Sequence, residues 1–141
     1  MGQSDEHRWL VRNLMSYWER GLTGTSFILA DGESGLPCPS IGGFRPDLYH
    51  AHPIDQLIKV GEAKTAFDVE RQHSLDQLCA FFVYLGKCSR GELHLSVEWS
   101  AVDAMFFTAR GCRRRAQALA VPFVVYGWAR NRPEPVQIVR G

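Results

Sequence analysis

Two short segments concentrate the side chains able to do chemistry: Arg45-Pro46-Asp47 and Gly61-Glu62-Ala63-Lys64-Thr65. Along an extended strand successive side chains alternate. Glu62 and Lys64 therefore leave one face, while Ala63 turns to the other, into the packing. If the segment carrying Asp47 pairs beside this strand, its carboxylate converges on that of Glu62. Two carboxylates so placed, with the carbonyl of Ala63 as a further ligand, make a hard, oxygen-rich site. That donor set suits Mg²⁺, with Mn²⁺ able to substitute.

Lys64 adds an ammonium beside this site, which suits a reaction that builds negative charge. Phosphodiester hydrolysis is such a reaction, because it needs an activated water and stabilisation of the extra charge on phosphorus. Lys64 can orient the water, help deprotonate it or offset the charge; residue type leaves these three roles open. Arg45, next to Asp47, can hold a phosphate oxygen. The plain alternative is a solvated strand face carrying opposite charges. The apolar residues flanking Asp47, Glu62 and Lys64 argue against it.

The elements that must position these groups follow from periodicity. Residues 4–20 read as an amphipathic helix, with Leu10, Leu14 and Trp18 on one stripe, Ser4 as cap, Asp5 and Glu6 in the first turn and Gly21 at the end. TSFILAD (25–31) is a strand and residues 32–43, rich in Gly and Pro, are a loop. FRPDLYHA (44–51) and LIKVGEAKT (57–65) are the second and third strands, the third apolar enough to be central. HSLDQLCAFFVYLGK (73–87) returns to a helical period. ELHLSVEW (92–99) alternates, with Leu93, Leu95, Val97 and Trp99 on one face and Glu92, His94, Ser96 and Glu98 on the other. A helix opened by Ser100 is expected to run to about Leu119, and VPFVVYGW (121–128) is a further strand. This order predicts an α/β fold, a mixed central sheet with helices on both faces, in which consecutive strands form a meander and helices make the crossovers.

The 141 residues are 45% apolar and include eight Phe, four Trp and four Tyr, which fills one core without disulfides or a structural metal. One domain over 1–141 is expected, with 130–141 a peripheral tail in which VQIV can pair as an edge strand. The net charge is only +1, so attraction to a phosphate backbone must come from local clusters. The dense one is Arg110, Arg113, Arg114 and Arg115, read as contacts to nucleic acid, although arginines near a helix C-terminus also suit the dipole. His50 and His52 have the spacing of a strand metal pair but lack a third nitrogen or sulfur ligand, which favours loop polarity. Cys38, Cys79, Cys88 and Cys112 show neither CxxC nor zinc spacing. No signal peptide and no membrane-spanning run is evident, and a soluble, intracellular protein of the cytoplasm is expected, without membrane partners.

Arg45-Pro46-Asp47, followed fourteen residues on by Gly61-Glu62-Ala63-Lys64-Thr65, resembles the PD-(D/E)XK, or restriction-endonuclease-like, nuclease superfamily. The predicted order also matches that family's αβββαβ core, whose second and third strands carry the motif. The resemblance covers roughly Glu6 to Trp128. It implies a Mg²⁺-dependent nuclease, most often acting on DNA, leaving 5′-phosphate ends and commonly dimeric. A place as a module in a larger nuclease or defence complex is also within the family's range. It further implies Gln77 as a helical glutamine approaching the active site and Glu6 as a first-helix metal ligand. Two local alternatives stand beside these. Ser74 and Gln77 have capping-box spacing, and Glu6 suits a first turn by its charge alone, with Glu19 the competing acid. The rival functions are a catalytically silent nucleic-acid-binding or assembly subunit and a hydrolase of small phosphoesters.

Overall fold

A computed structural model describes residues 4–22, 28–31 and 36–141. α1 (Asp5–Arg20) starts where the Ser4 hydroxyl accepts the N–H of His7 at 3.1 Å, and it has Asp5 and Glu6 in its first turn and Arg20 in its last. Cap and charges both oppose the helix dipole's exposed ends.

Six strands form one sheet in sequence order: β1 (Leu29–Ala30), β2 (Leu48–Ala51), β3 (Leu57–Ala63), β4 (Arg90–Glu98), β5 (Phe123–Trp128) and β6 (Gln137–Arg140). β1–β2 and β2–β3 are antiparallel, as a meander requires. β3–β4 and β4–β5 are parallel, and β5–β6 is antiparallel. α2 (Gln72–Gly86) makes the first parallel crossover. A 3₁₀ turn (Trp99–Ala101) and α3 (Val102–Arg115) make the second. The fold is therefore α/β, a mixed sheet flanked by helices, as expected.

Several boundaries differ from the sequence reading. The first strand is seen at Leu29–Ala30, and Thr25 to Phe27 lie outside the described residues. The second begins at Leu48, so Arg45-Pro46-Asp47 precedes the ladder. α3 stops at Arg115, because Gln117 takes a positive φ of 56° that ends the helical turn. The tail does pair through Gln137–Arg140 along β5.

Each face of the sheet has its own core. Val60, Leu93, Leu95, Val97, Phe123 and Val125 pack under α2 and α3 with Leu78, Phe81, Phe82 and Met105. Leu48, Ala63, Val124, Tyr126 and Trp128 pack under α1 with Leu10, Leu14 and Trp18. The polar alternation of β4 thus lies beneath α1, where Ser96 Oγ donates to the Leu10 carbonyl at 2.8 Å. His94 Nδ1 accepts from Trp18 Nε1 and from the Tyr126 hydroxyl there. Gly61 makes this seat close: a Cβ on it would lie 2.9 Å from Trp18 Cη2 and 3.0 Å from Leu48 Cβ. Among the described residues no helix is long and apolar enough to cross a membrane.

Candidate active site

The β2–β3 register pairs Leu48 with Gly61, so one step further Asp47 stands opposite Glu62, just beyond the ladder. The two acids are tied reciprocally through backbone donors. The N–H of Asp47 donates to Glu62 Oε1 at 3.0 Å, and the N–H of Ala63 donates to Asp47 Oδ2 at 2.9 Å. Standing one residue before the β2–β3 ladder frees Asp47 to bridge in this way. Ala63 turns into the α1-side core, so Glu62 and Lys64 share the opposite face, as strand parity demands.

Lys64 lies one residue past β3, held by its N–H on the Ser96 carbonyl at 3.0 Å. Its Nζ is 3.2 Å from Glu62 Oε2 and also donates to Gln77 Oε1. Asp47, Glu62, Lys64 and Gln77 are all buried. Burial, and next the neighbouring Asp47 carboxylate, push the Glu62 carboxyl well above its ordinary range, with Lys64 opposing. From the other side of the sheet end, His7 Nε2 meets Asp47 Oδ2 at 3.1 Å. That hydrogen bond raises the His7 imidazole above its usual value, against the effect of burial. These groups form the floor of an open cleft of about 800 Å³, whose walls include Asp31, Arg45, Asp68, Arg71, His73 and Ser74.

Asp47, Glu62, Lys64 and Gln77 are thus brought together, with the Ala63 backbone between them. Gln77 does not close a capping box: α2 begins at Gln72, with Arg71 in the cap position, and the Gln77 amide is spent on Lys64. Arg45 stands at the rim, 3.8 Å from Asp31. His73 also lines the cleft, edge-on to Phe44. His50 is buried, and His52 instead accepts the N–H groups of Ile54 and Asp55 at the β2–β3 turn. Among the described residues no group of three or more His, Cys, Asp or Glu is arranged to hold a metal.

Glu6 does not line the cleft; His7 does. At about 100° per residue, a row of every fourth residue drifts by about 40° per step. Extending the Trp18, Leu14, Leu10 row to Glu6 therefore carries it off the buried stripe, whereas His7 falls near the stripe's centre. Glu19 is exposed at the far end of α1. The arginine cluster is not at the cleft either. α3 starts at the end of the sheet where β4 finishes and ends where β5 begins, so its last turn lies about 20 Å along the helix from its start. There Arg113 donates to the Val121 carbonyl at 3.1 Å and covers the Phe123 ring, and Arg110 lies over Phe106 and Phe107. Arg114 and Arg115 are exposed. The basic side chains at the cleft are Arg45, Arg71 and Lys64. Sequence reading missed His7, Asp31, Asp68 and Arg71; only His7 carried a usable signal, a polar residue centred on an apolar stripe.

No protein-family model, no curated protein and no solved structure matches the chain.

Proposed function

We propose that the chain is a metal-dependent nuclease of the PD-(D/E)XK type that hydrolyses phosphodiester bonds in DNA and leaves 5′-phosphate ends. The observation that carries this reading is the pair Asp47 and Glu62, each locked by the other's backbone neighbourhood, with Lys64 on the same face of an open cleft. The order α1-β1-β2-β3-α2-β4 supports it, since it has the αβββαβ sequence of that fold. An open cleft also favours a polymer over a small phosphoester.

The donor set fits Mg²⁺ or Mn²⁺. Asp47, Glu62 and the Ala63 carbonyl are hard oxygen donors, and the burial and neighbouring Asp47 carboxylate that raise Glu62 are what a divalent cation would offset. Such an ion, when bound, supplies a water of lowered pKa and polarises a phosphoryl oxygen. The chain's own residues do the rest. Lys64, steadied by Gln77, aims its Nζ at the reacting face and donates to the water or to a phosphoryl oxygen. His7 fixes the Asp47 carboxylate, and Arg45 takes a phosphate oxygen at the rim.

The test is Mg²⁺-dependent cleavage of linear duplex, single strand, supercoiled circle, four-way junction and RNA. Folded Glu62→Gln and Lys64→Ala proteins are run alongside. Cleavage by the native chain and its loss in both variants is the expected result. If no substrate is cut with Mg²⁺ or Mn²⁺, the reading shifts to a silent binding subunit of the same fold.

A further inference from the structure

The opening turn of α2 is bare, and it faces the cleft. Arg71 occupies its cap position with no side-chain hydrogen bond to the helix, and the first turn carries no acid. The first capping bond is Leu75 N–H to the Arg71 carbonyl, so the N–H groups of Gln72, His73 and Ser74 have no backbone acceptor among the described residues. Unpaired donors at the positive end of a 15-residue helix attract anions.

A second observation points to the same place. Ser74 is only 2% exposed and lines the cleft, yet its hydroxyl makes no hydrogen bond among the described residues. The hydroxyl is not one of the fully enclosed unpaired polar atoms, so its open side is the cleft, where a ligand can meet it. The surrounding side chains are arranged to accept an anion rather than replace one. Arg71 leans on Asp68 at 3.4 Å and over the Phe67 ring at 4.7 Å, leaving the helix start uncovered. Asp68 is itself engaged by the Thr65 hydroxyl. Lys64 and Gln77 stand one turn along the same wall.

We infer that the first turn of α2 is a phosphate subsite, in which the N–H groups of Gln72, His73 and Ser74, the Ser74 hydroxyl and the Arg71 guanidinium hold a nucleic-acid phosphate adjoining the one that is cut. The identity of the ligand as nucleic acid rests on the nuclease reading; the anion chemistry does not. The phosphate is either an internal diester or a terminal 5′-monoester.

The experiment compares Arg71→Ala, Arg71→Asn and Ser74→Ala with the native chain. Both Arg71 variants lose the same charge, but asparagine is a strong N-cap that covers the free N–H groups and stabilises the helix. Binding is read by fluorescence anisotropy in EDTA, so that no cutting intervenes. The probes are two 3′-labelled single-stranded oligonucleotides that differ only in a 5′-phosphate or 5′-hydroxyl. Arg71→Asn should bind about three- to ten-fold more weakly than Arg71→Ala while melting no lower, and Ser74→Ala should also weaken binding. Losses confined to the 5′-phosphorylated probe assign a terminal phosphate, and equal losses on both probes assign an internal one. Equal affinities for the two Arg71 variants with Ser74→Ala unchanged, or no binding of either probe by the native chain, would overturn the subsite. The expected losses without Mg²⁺-dependent cleavage keep the subsite and remove the nuclease reading. Cleavage with unaltered binding in all three variants does the reverse.

Discussion

Glu62 accepts the backbone N–H of Asp47, so these two acids of the cleft floor are fixed to each other by the turn into β2. The return bond, from Ala63 N–H to Asp47, makes their separation a property of the β2–β3 pairing. Such an arrangement presents two carboxylates at a set distance at the cost of keeping them close and buried, which is why Glu62 holds its proton so strongly. On the nuclease reading, a site preorganised in this way would need little further ordering to take up a cation.

Glu62→Gln keeps the hydrogen bond from Asp47 and removes the buried charge. Because the folded state raises the Glu62 pKa, it binds the proton more tightly than the unfolded chain does. Native stability therefore falls as pH rises above the ordinary glutamate range. The variant should melt higher than the native protein at pH 8, by on the order of 1 kcal/mol or about 4 °C, and the gap should close towards pH 4. Mg²⁺ should raise the melting temperature of the native protein and leave that of the variant nearly unmoved. Equal responses of the two proteins to Mg²⁺ would remove Glu62 from the ligand set.

His7 reaches Asp47 from α1, on the opposite side of the sheet end from Gln77. On the nuclease reading, this bond would make His7 a positioning residue for Asp47. His7→Ala should lower Mg²⁺-dependent cleavage by about ten-fold, with the loss visible as weaker apparent Mg²⁺ affinity. His7→Gln can still donate to Asp47 and should recover part of it. A drop in maximal rate at saturating Mg²⁺, with no rescue by glutamine, would speak for direct participation instead.

How much of this was readable from the sequence depends on the range over which each signal acts. Strand parity placed Glu62 with Lys64 and Ala63 in the packing because that rule is local and rigid. The approach of Asp47 to Glu62 followed once β2 and β3 were read as neighbours. Gln77 was narrowed to two roles, and its register in α2 rules out the capping box. Glu6 and the arginines of α3 fall outside the cleft lining for a geometric reason: helical drift over three turns, and a helix that runs away from the site, change which end of a segment meets the cleft. The buried polar face of β4 was legible as alternation, but alternation does not say that α1 covers it.

That covered face yields a pH prediction. Burial lowers the His94 pKa, against the pull of Glu92, whose carboxylate is 3.0 Å from Nε2. A depressed pKa means that the unfolded chain takes up the proton first. The neutral ring's contribution is therefore full above the ordinary histidine value near ~6.5 and is lost as pH falls below it. His94→Gln can accept from Trp18 and Tyr126 and donate to Glu92. Chemical denaturation between pH 7.5 and 5 should show a shallower loss of stability in this variant than in the native protein. Parallel curves would mean that other groups set the acid limit.

The arginines can be separated by salt. Arg45 is at the cleft rim, whereas Arg114 and Arg115 are exposed on the last turn of α3 and do not line the cleft. Arg45→Ala should weaken DNA binding and lower the slope of log affinity against log salt by about 1. Arg114→Ala with Arg115→Ala should leave that slope as it is. The opposite pattern would move the nucleic-acid path from the cleft to the far end of α3.

Gly61 links fold to site. A methyl group there would press on Trp18 at 2.9 Å and Leu14 at 3.2 Å, both on α1, and on the Leu48 side chain at 3.0 Å, at the start of β2. Overpacking of this kind costs about 1–3 kcal/mol, and relief requires α1 to lift from the sheet. α1 is also the element that carries His7, so the lift should loosen the contact with Asp47 as well as lower stability. Gly61→Ala is therefore expected to melt lower and to lose Mg²⁺-induced stabilisation together. A Trp18→Phe, Gly61→Ala double variant, which makes room at the tightest contact, should recover both in parallel. Recovery of stability alone would show that α1 can shift without disturbing the acids, and that His7 is dispensable to them.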